Sequence, residues 1–493
     1  MWCRPASYIF APADFVPAPE TLPVTLPLSS RVNSAAAISL DPDVRLSYAR
    51  DASGLEMIPD SVARPSEVSE VAALLREATA LRRPVTAAGA QSSTTAASIT
   101  NSGLLLSLRG LAHMHEVDAD TRTIRVGAGA LVADVRRAAE AAGLLFTPDP
   151  TSEEECTVGG AIACNASGAR SLRYGATGPH VRALTVLLAD GSLLDVRRPA
   201  LEKNTVGYPI VHDPVDWFVG SEGTLGIVVE AELALHALPA QLLGLAIPFV
   251  SEADALAFVV AARQSPDVYP RCLEYFDGLA FKIARDADGS PTWAPAAQAM
   301  VYVEETGANE SRRDDALPLD AWLALSERYR ALTNDIRVYD APASLRDARK
   351  LRHAVPATMN ERGAACRASG GRKVSTDWAV PYPRLAEALR MARGIASAHG
   401  IQQAVAYGHA GNGHPHQNFI ARDADELHRI EAVVEATLRE VLVMGGTVAA
   451  EHGIGKLKRR WLPMQATPVQ LRVMRAIKHE FDPLGLLAPG NVL

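Results

Sequence analysis

Apolar residues recur at three- and four-residue intervals after Pro65-Ser66-Glu67-Val68. Val68, Val71, Leu74, Leu75, Ala78 and Leu81 make one stripe, and Ser66 is placed to cap its start. That spacing predicts a helix. Short apolar runs at 84–89, 104–108 and 123–126 read as strands, and the alternation relaxes into a helix near 131–142. Two further runs, 183–190 and 192–196, flank Asp190-Gly191, a tight-turn dipeptide that predicts a hairpin. A strand at 226–235 closes this series. Residues from about 56 to 239 therefore read as an α+β domain of many short strands.

Beyond Pro239 the pattern lengthens. A strand at 242–250, a helix at 251–264 and a strand at 299–304 make one βαβ-like unit. A second is made by 372–380, 383–399 and 402–409, followed by a strand at 414–421 and a long helix at 423–444. Leu427, Ile430, Val433, Val434, Leu438 and Val441 give that helix one buried face. Two such units feeding one antiparallel sheet predict a ferredoxin-like cap. Residues 306–345 are charged and fit neither period, and a helix at 467–481 ends the chain. No short fixed repeat is present. Before all of this, the six prolines of Met1–Leu28 interrupt any helical run and predict an extended arm over 1–55.

Length agrees with that division. At roughly 100–200 residues per domain, 493 residues hold two or three. A net charge of −7 leaves no basic field for a nucleic-acid backbone. Cys3, Cys156, Cys164, Cys272 and Cys366 are scattered without a CxxC pair, which argues against a disulfide framework or a cysteine-held iron–sulfur cluster. A reducing compartment fits. No apolar run reaches the roughly 18 residues that span a bilayer, and the proline-rich start does not read as a secretory signal. A cytoplasmic location is expected, with a peripheral position at the inner membrane as the other option.

Three loops are built from residues without bulk: Ala88-Gly89-Ala90-Gln91-Ser92-Ser93-Thr94-Thr95, Thr157 to Gly168, and Gly220-Ser221-Glu222-Gly223-Thr224-Leu225-Gly226. Loops of this kind offer N–H groups and hydroxyls to a pyrophosphate, although a polar surface loop or a packed neighbouring helix has the same composition. No Gly-x-Gly-x-x-Gly opens a helix inside a βαβ unit, so a Rossmann nicotinamide site is unsupported. The sharper cluster is Tyr407-Gly408-His409-Ala410-Gly411-Asn412-Gly413-His414-Pro415-His416, joined by Glu451-His452-Gly453. A reversal at Gly411 and Gly413 can bring His409 and His416 together from adjacent strand ends. Two imidazoles and a carboxylate suit Zn²⁺ best, with Mn²⁺ and Fe²⁺ also possible ligand partners.

In this order the motifs resemble the FAD-dependent D-2-hydroxyacid dehydrogenases, of the glycolate oxidase and D-lactate dehydrogenase types, within the vanillyl-alcohol-oxidase-type flavoproteins. The resemblance runs from about residue 56 to the C-terminus. It takes in Pro148-Asp149-Pro150, Tyr174-Gly175, Glu451-His452-Gly453-Ile454-Gly455 and Asp482-Pro483-Leu484-Gly485 besides the loops above. It implies an FAD-binding domain over 56–239, a substrate and cap domain over 240–493 carrying the histidines, and a C-terminal helical segment. By resemblance FAD, held noncovalently, meets Gly89, Ala90, Gln91, Ser92, Ser93, Pro148, Gly159, Gly160, Asn165, Gly168, Tyr174, Gly175, Glu222, Gly226 and Ile227. His409, His416 and Glu451 hold a divalent metal, His452 is the base, and Arg352 and Lys373 meet the substrate. The implied reaction is oxidation of a 2-hydroxyacid of the D-lactate, glycolate or D-2-hydroxyglutarate class.

Two departures stand out. Gln91 replaces the second glycine usual in the first loop, and Ala488 replaces the asparagine of an Asn-Pro-Gly. The missing cysteine clusters mean that electrons leave through a separate acceptor: a quinone, an electron carrier, an iron–sulfur subunit or oxygen. A homodimer is a further expectation. Rival readings keep part of the pattern. A flavin oxidase of another alcohol, or an alkylglycerone-phosphate-synthase-like enzyme, needs no two-His-plus-Glu site. A metal-dependent hydrolase needs no glycine loops, and a noncatalytic FAD protein would bind flavin without reducing it.

Overall fold

The computed structural model describes residues 38–307, 316–401 and 404–493. The part of the expected arm before residue 38 lies outside the described residues. The helix expected after Pro65 runs Val68–Ala80 and buries Val71, Leu74, Leu75 and Ala78, the apolar stripe read from its spacing. It covers a small parallel sheet in which β1 (Ser61–Ala63) and β2 (Val85–Ala88) flank β3 (Leu104–Ser107). A second, antiparallel sheet has the order β4 (Thr123–Gly127), β7 (Ile227–Ala234), β5 (Val181–Leu187), β6 (Leu193–Arg197). The expected hairpin is its β5–β6 edge, turning at Asp190-Gly191, where Gly191 sits at φ +75°. That left-handed value suits glycine.

The cap is one seven-stranded sheet. Its order is β11 (Arg337–Tyr339), β8 (Leu243–Phe249), β10 (Ala299–Glu305), β9 (Pro270–Asp277), β13 (Ala404–His409), β14 (His414–Asp423), β12 (Gly370–Ser375). Here the sequence reading needs correction. The second strand of the first βαβ unit is β9, which the periodicity missed, and β10 lies antiparallel between β8 and β9. The second unit has the same split form, with β14 between β13 and β12. The units join where Tyr275 and Phe276 of β9 face Gly408 and Tyr407 of β13.

Each face of this sheet has its own core. One packs under the helices Glu252–Gln264, Leu385–Ala398 and Ala424–Val443 through Phe258, Leu389, Val433 and Phe419. The other packs Cys272, Phe276, Met300 and Tyr407 against the helices Gly278–Ala287 and Pro342–Ala365. Because side chains alternate along a strand, Glu274, His409, His414 and His416 belong to this second face. The helix Pro342–Ala365 starts at the end of the 306–345 stretch, runs on through residues the sequence pattern assigned to no element, and contains Pro356. Proline supplies no N–H to the carbonyl four residues back, here that of Arg352. No described helix is long and apolar enough to cross a membrane.

Candidate active site

A cavity of about 920 Å³ lies between the small-residue loops and the second face of the cap sheet. It falls in the upper range of small-molecule sites. Gly89, Ala90, Gln91, Ser92, Ser93, Gly159, Gly160, Glu222, Gly226 and Ile227 line one part. Arg352, Lys373, His409, His416, Glu451 and His452 line another. Pro148, Asn165, Gly168, Tyr174 and Gly175 are not among its lining residues. Asn165 instead ends the helix Val158–Cys164 at φ 50° and accepts the Gly178 N–H at 2.8 Å. Gly168 packs so close to the Asp149 carbonyl that a Cβ would lie 2.1 Å from it.

The first loop fits a polar, elongate ligand. The N–H groups of Gln91, Ser92 and Ser93 have no acceptor among the described residues. Consecutive unpaired N–H groups on a cavity wall form a nest for an anion such as a pyrophosphate. Gln91 takes φ 58°, a value a glycine would adopt more readily, and its side chain donates to the Tyr48 carbonyl at 2.9 Å. The departure from glycine therefore ties the loop to the segment before β1. Asn491 plays a similar part near Ala488: its amide donates to Ala97 O and Glu222 O and accepts from Lys456 Nζ at 2.7 Å.

The histidines come together by strand register. His409 ends β13 opposite His414, the first residue of β14, and Tyr407 pairs with His416. Gly408 permits this, since at φ 125° a Cβ there would meet the His416 ring at 2.8 Å. Glu451 reaches them from the loop after the helix Ala424–Val443. Its Oε2 lies 3.3 Å from His409 Nε2, and its Oε1 lies 3.1 Å from His416 Nε2 and 3.5 Å from His452 Nε2. Ser167 of the second small-residue loop donates to Glu451 at 3.1 Å. His414, which the sequence reading did not name as a ligand, offers an atom within 4.8 Å of those of His409, His416 and Glu451.

The electrostatics favour a cation at this point. Burial opposes charge on His409, but Glu274 and Glu451 outweigh it and hold its pKa up at about 10. Burial takes His416 down to about 4, so its ring is neutral. Burial also works against the Glu451 carboxylate, yet His409 and His414 hold it well below the usual carboxylate range. His409 Nε2 is buried and makes no hydrogen bond among the described residues. The two carboxylates that hold a proton on His409 would equally hold a divalent ion that displaces it, with the neutral His416 ring and Glu451 as further donors.

Three carboxylates that sequence reasoning missed fix this arrangement. Asp377 accepts the N–H groups of Ala450, Glu451 and His452 at 3.2, 3.1 and 3.0 Å, together with Lys458 Nζ. Glu274 accepts His409 Nδ1 at 2.7 Å and Arg352 Nε at 2.9 Å. Neither terminal nitrogen of Arg352 has a partner among the described residues. Glu304 binds Arg170 and Arg271 at 3.1 and 2.6 Å, joining the 165–175 segment to the cap. Glu222, expected beside the cofactor, lines the cavity but aims its carboxylate at the Ile454 and Gly455 N–H groups, 2.6 and 2.7 Å away. Lys373 donates to Asn360, and burial takes its pKa down to about 8.

Three small-residue loops face a buried His/Glu cluster across one cavity, and the comparisons with known proteins identify the class of this arrangement as FAD-linked oxidoreductases. Residues 59–197 match the FAD binding domain, and residues 239–492 match the C-terminal domain of FAD linked oxidases. The chain belongs to this FAD-linked oxidase family. It is 31% identical to a D-lactate dehydrogenase of Archaeoglobus fulgidus, over 88% of this chain and 91% of that protein. It is 29% identical to glycolate oxidase subunit GlcD of Bacillus subtilis, over 91% and 92%, and 30% identical to a D-2-hydroxyglutarate dehydrogenase of Xanthomonas citri, over 88% and 89%. Among solved structures an alkyldihydroxyacetonephosphate synthase superposes with a TM-score of 0.69 at 17% identity, covering 92% of this chain and 83% of that one. That likeness is one of fold.

Proposed function

We propose that this oxidoreductase converts a 2-hydroxyacid of the D-lactate, glycolate or D-2-hydroxyglutarate class to the 2-oxoacid. The observation that carries the reading is the placing, on one cavity wall, of an unengaged Arg352 fork and a Glu451 shared by His409, His416 and His452. Such a pair of features suits a molecule bearing a carboxylate and a hydroxyl on adjacent carbons. The names of the relatives point to the same substrate class.

Arg352 takes the substrate carboxylate through its two terminal nitrogens, a bidentate geometry that fixes the direction of C2. Lys373 adds a second positive group on the same wall. His409, His416 and Glu451 would hold a divalent metal, with zinc the first choice. FAD along the small-residue loops would supply the two-electron acceptor for the C2 hydride, and the metal Lewis acidity toward the hydroxyl oxygen. His452 takes the hydroxyl proton. Burial keeps its pKa below the ordinary value of 6.5 in spite of Asp377, so the ring is neutral near pH 7 and able to accept. Loss of that proton and of the C2 hydride leaves the 2-oxoacid. The electrons then pass to a separate acceptor.

Anaerobic addition of a 2-hydroxyacid panel to the purified flavoprotein tests the proposal. Bleaching of the visible flavin band by one or more members is expected. A flavin that no 2-hydroxyacid reduces, in metal-replete protein, would sink it.

A further inference from the structure

Glu274 lies on β9, a central strand whose residues are almost all buried, and is itself 1% exposed. A carboxylate in such a place needs partners to offset its lost hydration. It has two, one on each oxygen: His409 Nδ1 on Oε1 and Arg352 Nε on Oε2. Burial pushes its pKa up, and those two partners bring it down to about 2. No other described residue touches both Arg352 and His409 through a side-chain hydrogen bond.

Each contact settles an orientation. With Nδ1 held by Glu274, it is Nε2 of His409 that faces Glu451 and the other imidazoles, the nitrogen that would bind a metal once its proton is displaced. The bond from Arg352 Nε leaves the two terminal nitrogens turned to the cavity. We infer that Glu274 is a positioning residue that sets the metal-facing nitrogen of His409 and the carboxylate-binding fork of Arg352 from one side chain. The inference rests on the roles given to Arg352 and His409 in the proposed function. It adds that these two roles share one support, through a residue that touches neither substrate nor metal.

Glu274→Gln keeps the volume and removes the charge. An amide can accept from His409 with its oxygen, but its NH₂ then faces the Arg352 N–H, so at least one contact is lost. The FAD-loaded variant is compared with wild type in two measurements: zinc retention against a competing chelator, and KM for the reducing 2-hydroxyacid at saturating zinc. Retention is expected to fall about 10–100-fold and KM to rise about 10-fold. Arg352→Gln should raise KM while zinc retention stays near wild type. A Glu274→Gln protein with wild-type retention and wild-type KM overturns the inference, as does a measurement that neither Glu274→Gln nor Glu274→Asp changes.

Should Glu274→Gln lose FAD, Glu274→Asp is read in the same way. Its shorter side chain keeps the charge but cannot span both partners, so wild-type values on both measurements overturn the inference. A third readout needs no variant. Long-range ¹H–¹⁵N spectra of the zinc-loaded wild type are expected to place the His409 proton on Nδ1, and a proton on Nε2 overturns the assignment. Wild-type protein that retains no zinc at all overturns the metal reading itself. That result is distinct from a failure of Glu274, because it appears before any substitution is made.

Discussion

His452 is held by Asp377 at two points: its backbone N–H donates to Oδ2 at 3.0 Å, and its ring Nδ1 lies 3.5 Å from Oδ1. The ring also stacks on His416, with centroids 5.5 Å apart and planes 20° apart. Asp377 is fully buried, and Lys458 supplies its counter-charge. A base fixed in this way should be sensitive both to its own loss and to loss of its support. His452→Ala is expected to slow flavin reduction by about 10²–10⁴-fold, with the flavin spectrum of the oxidised protein unchanged. Asp377→Asn should cost about 10–100-fold. Stopped-flow absorbance under anaerobic conditions reads both, and normal reduction by His452→Ala would remove the base assignment.

Where period and turn chemistry agree, the elements were legible: the helix Val68–Ala80, the β5–β6 hairpin and the buried stripe of Ala424–Val443 all follow from apolar spacing. So was the meeting of His409 with His416, since Gly411 and Gly413 announce a reversal between two strands. β9 was not legible. Arg271, Glu274 and Asp277 break its apolar run, and their partners (Glu304, Arg352, Arg393) lie 33, 78 and 116 residues away. Ion pairing to a neighbouring strand and to two helices replaces the apolar contacts a strand pattern looks for, and sequence spacing carries no trace of it. The helix Pro342–Ala365 escaped for a different reason. Pro356 reads as a break, yet the flanking turns stay helical because Leu351, Val355 and Met359 are buried against the cap.

Metal removal should separate cofactor binding from chemistry. The small-residue loops and the His/Glu cluster occupy different parts of the cavity wall. Stripping with a strong chelator is therefore expected to leave the visible flavin spectrum intact and to abolish its bleaching by a 2-hydroxyacid. Readdition of zinc should restore bleaching. Glu451→Gln should behave as the stripped protein does and resist rescue. Metal analysis beside anaerobic spectra checks both, and full activity in metal-free protein would contradict the assignment.

The pH dependence of kcat/KM should have two limbs with separate owners. Lys373, taken down to about 8 by burial, is charged below that value and loses its charge as pH rises through it. An anionic substrate then binds less well, so kcat/KM declines above about pH 8. On the acid side His452, held below its ordinary 6.5 mainly by burial, becomes protonated and can no longer accept the hydroxyl proton. Lys373→Met should raise KM and flatten the alkaline limb while leaving the acid limb in place. An alkaline limb that survives in Lys373→Met would assign it to another group.

Glu304 sets up a stability prediction. Its carboxylate is fully buried between Arg170 and Arg271, and Tyr302 donates to its other oxygen at 3.2 Å. Burial alone would raise its pKa, and the two guanidinium groups hold it well below the usual carboxylate range. Among the described residues, Glu304→Gln leaves the two buried cations with only Asp149, 3.7 Å from Arg170 Nε, as an ion-pair partner. Breaking a buried pair from one side costs about 3–5 kcal/mol, so the urea midpoint should fall markedly. The sign of the pH effect follows from the depressed pKa. The stabilisation is present above the ordinary value of 4.5 and is lost as pH falls through the folded-state value. Wild type should therefore lose stability more steeply than Glu304→Gln on acidification below about pH 4.5, and the gap between them should narrow. Equal midpoints at neutral pH would show that Arg170 and Arg271 find other partners when the carboxylate is gone.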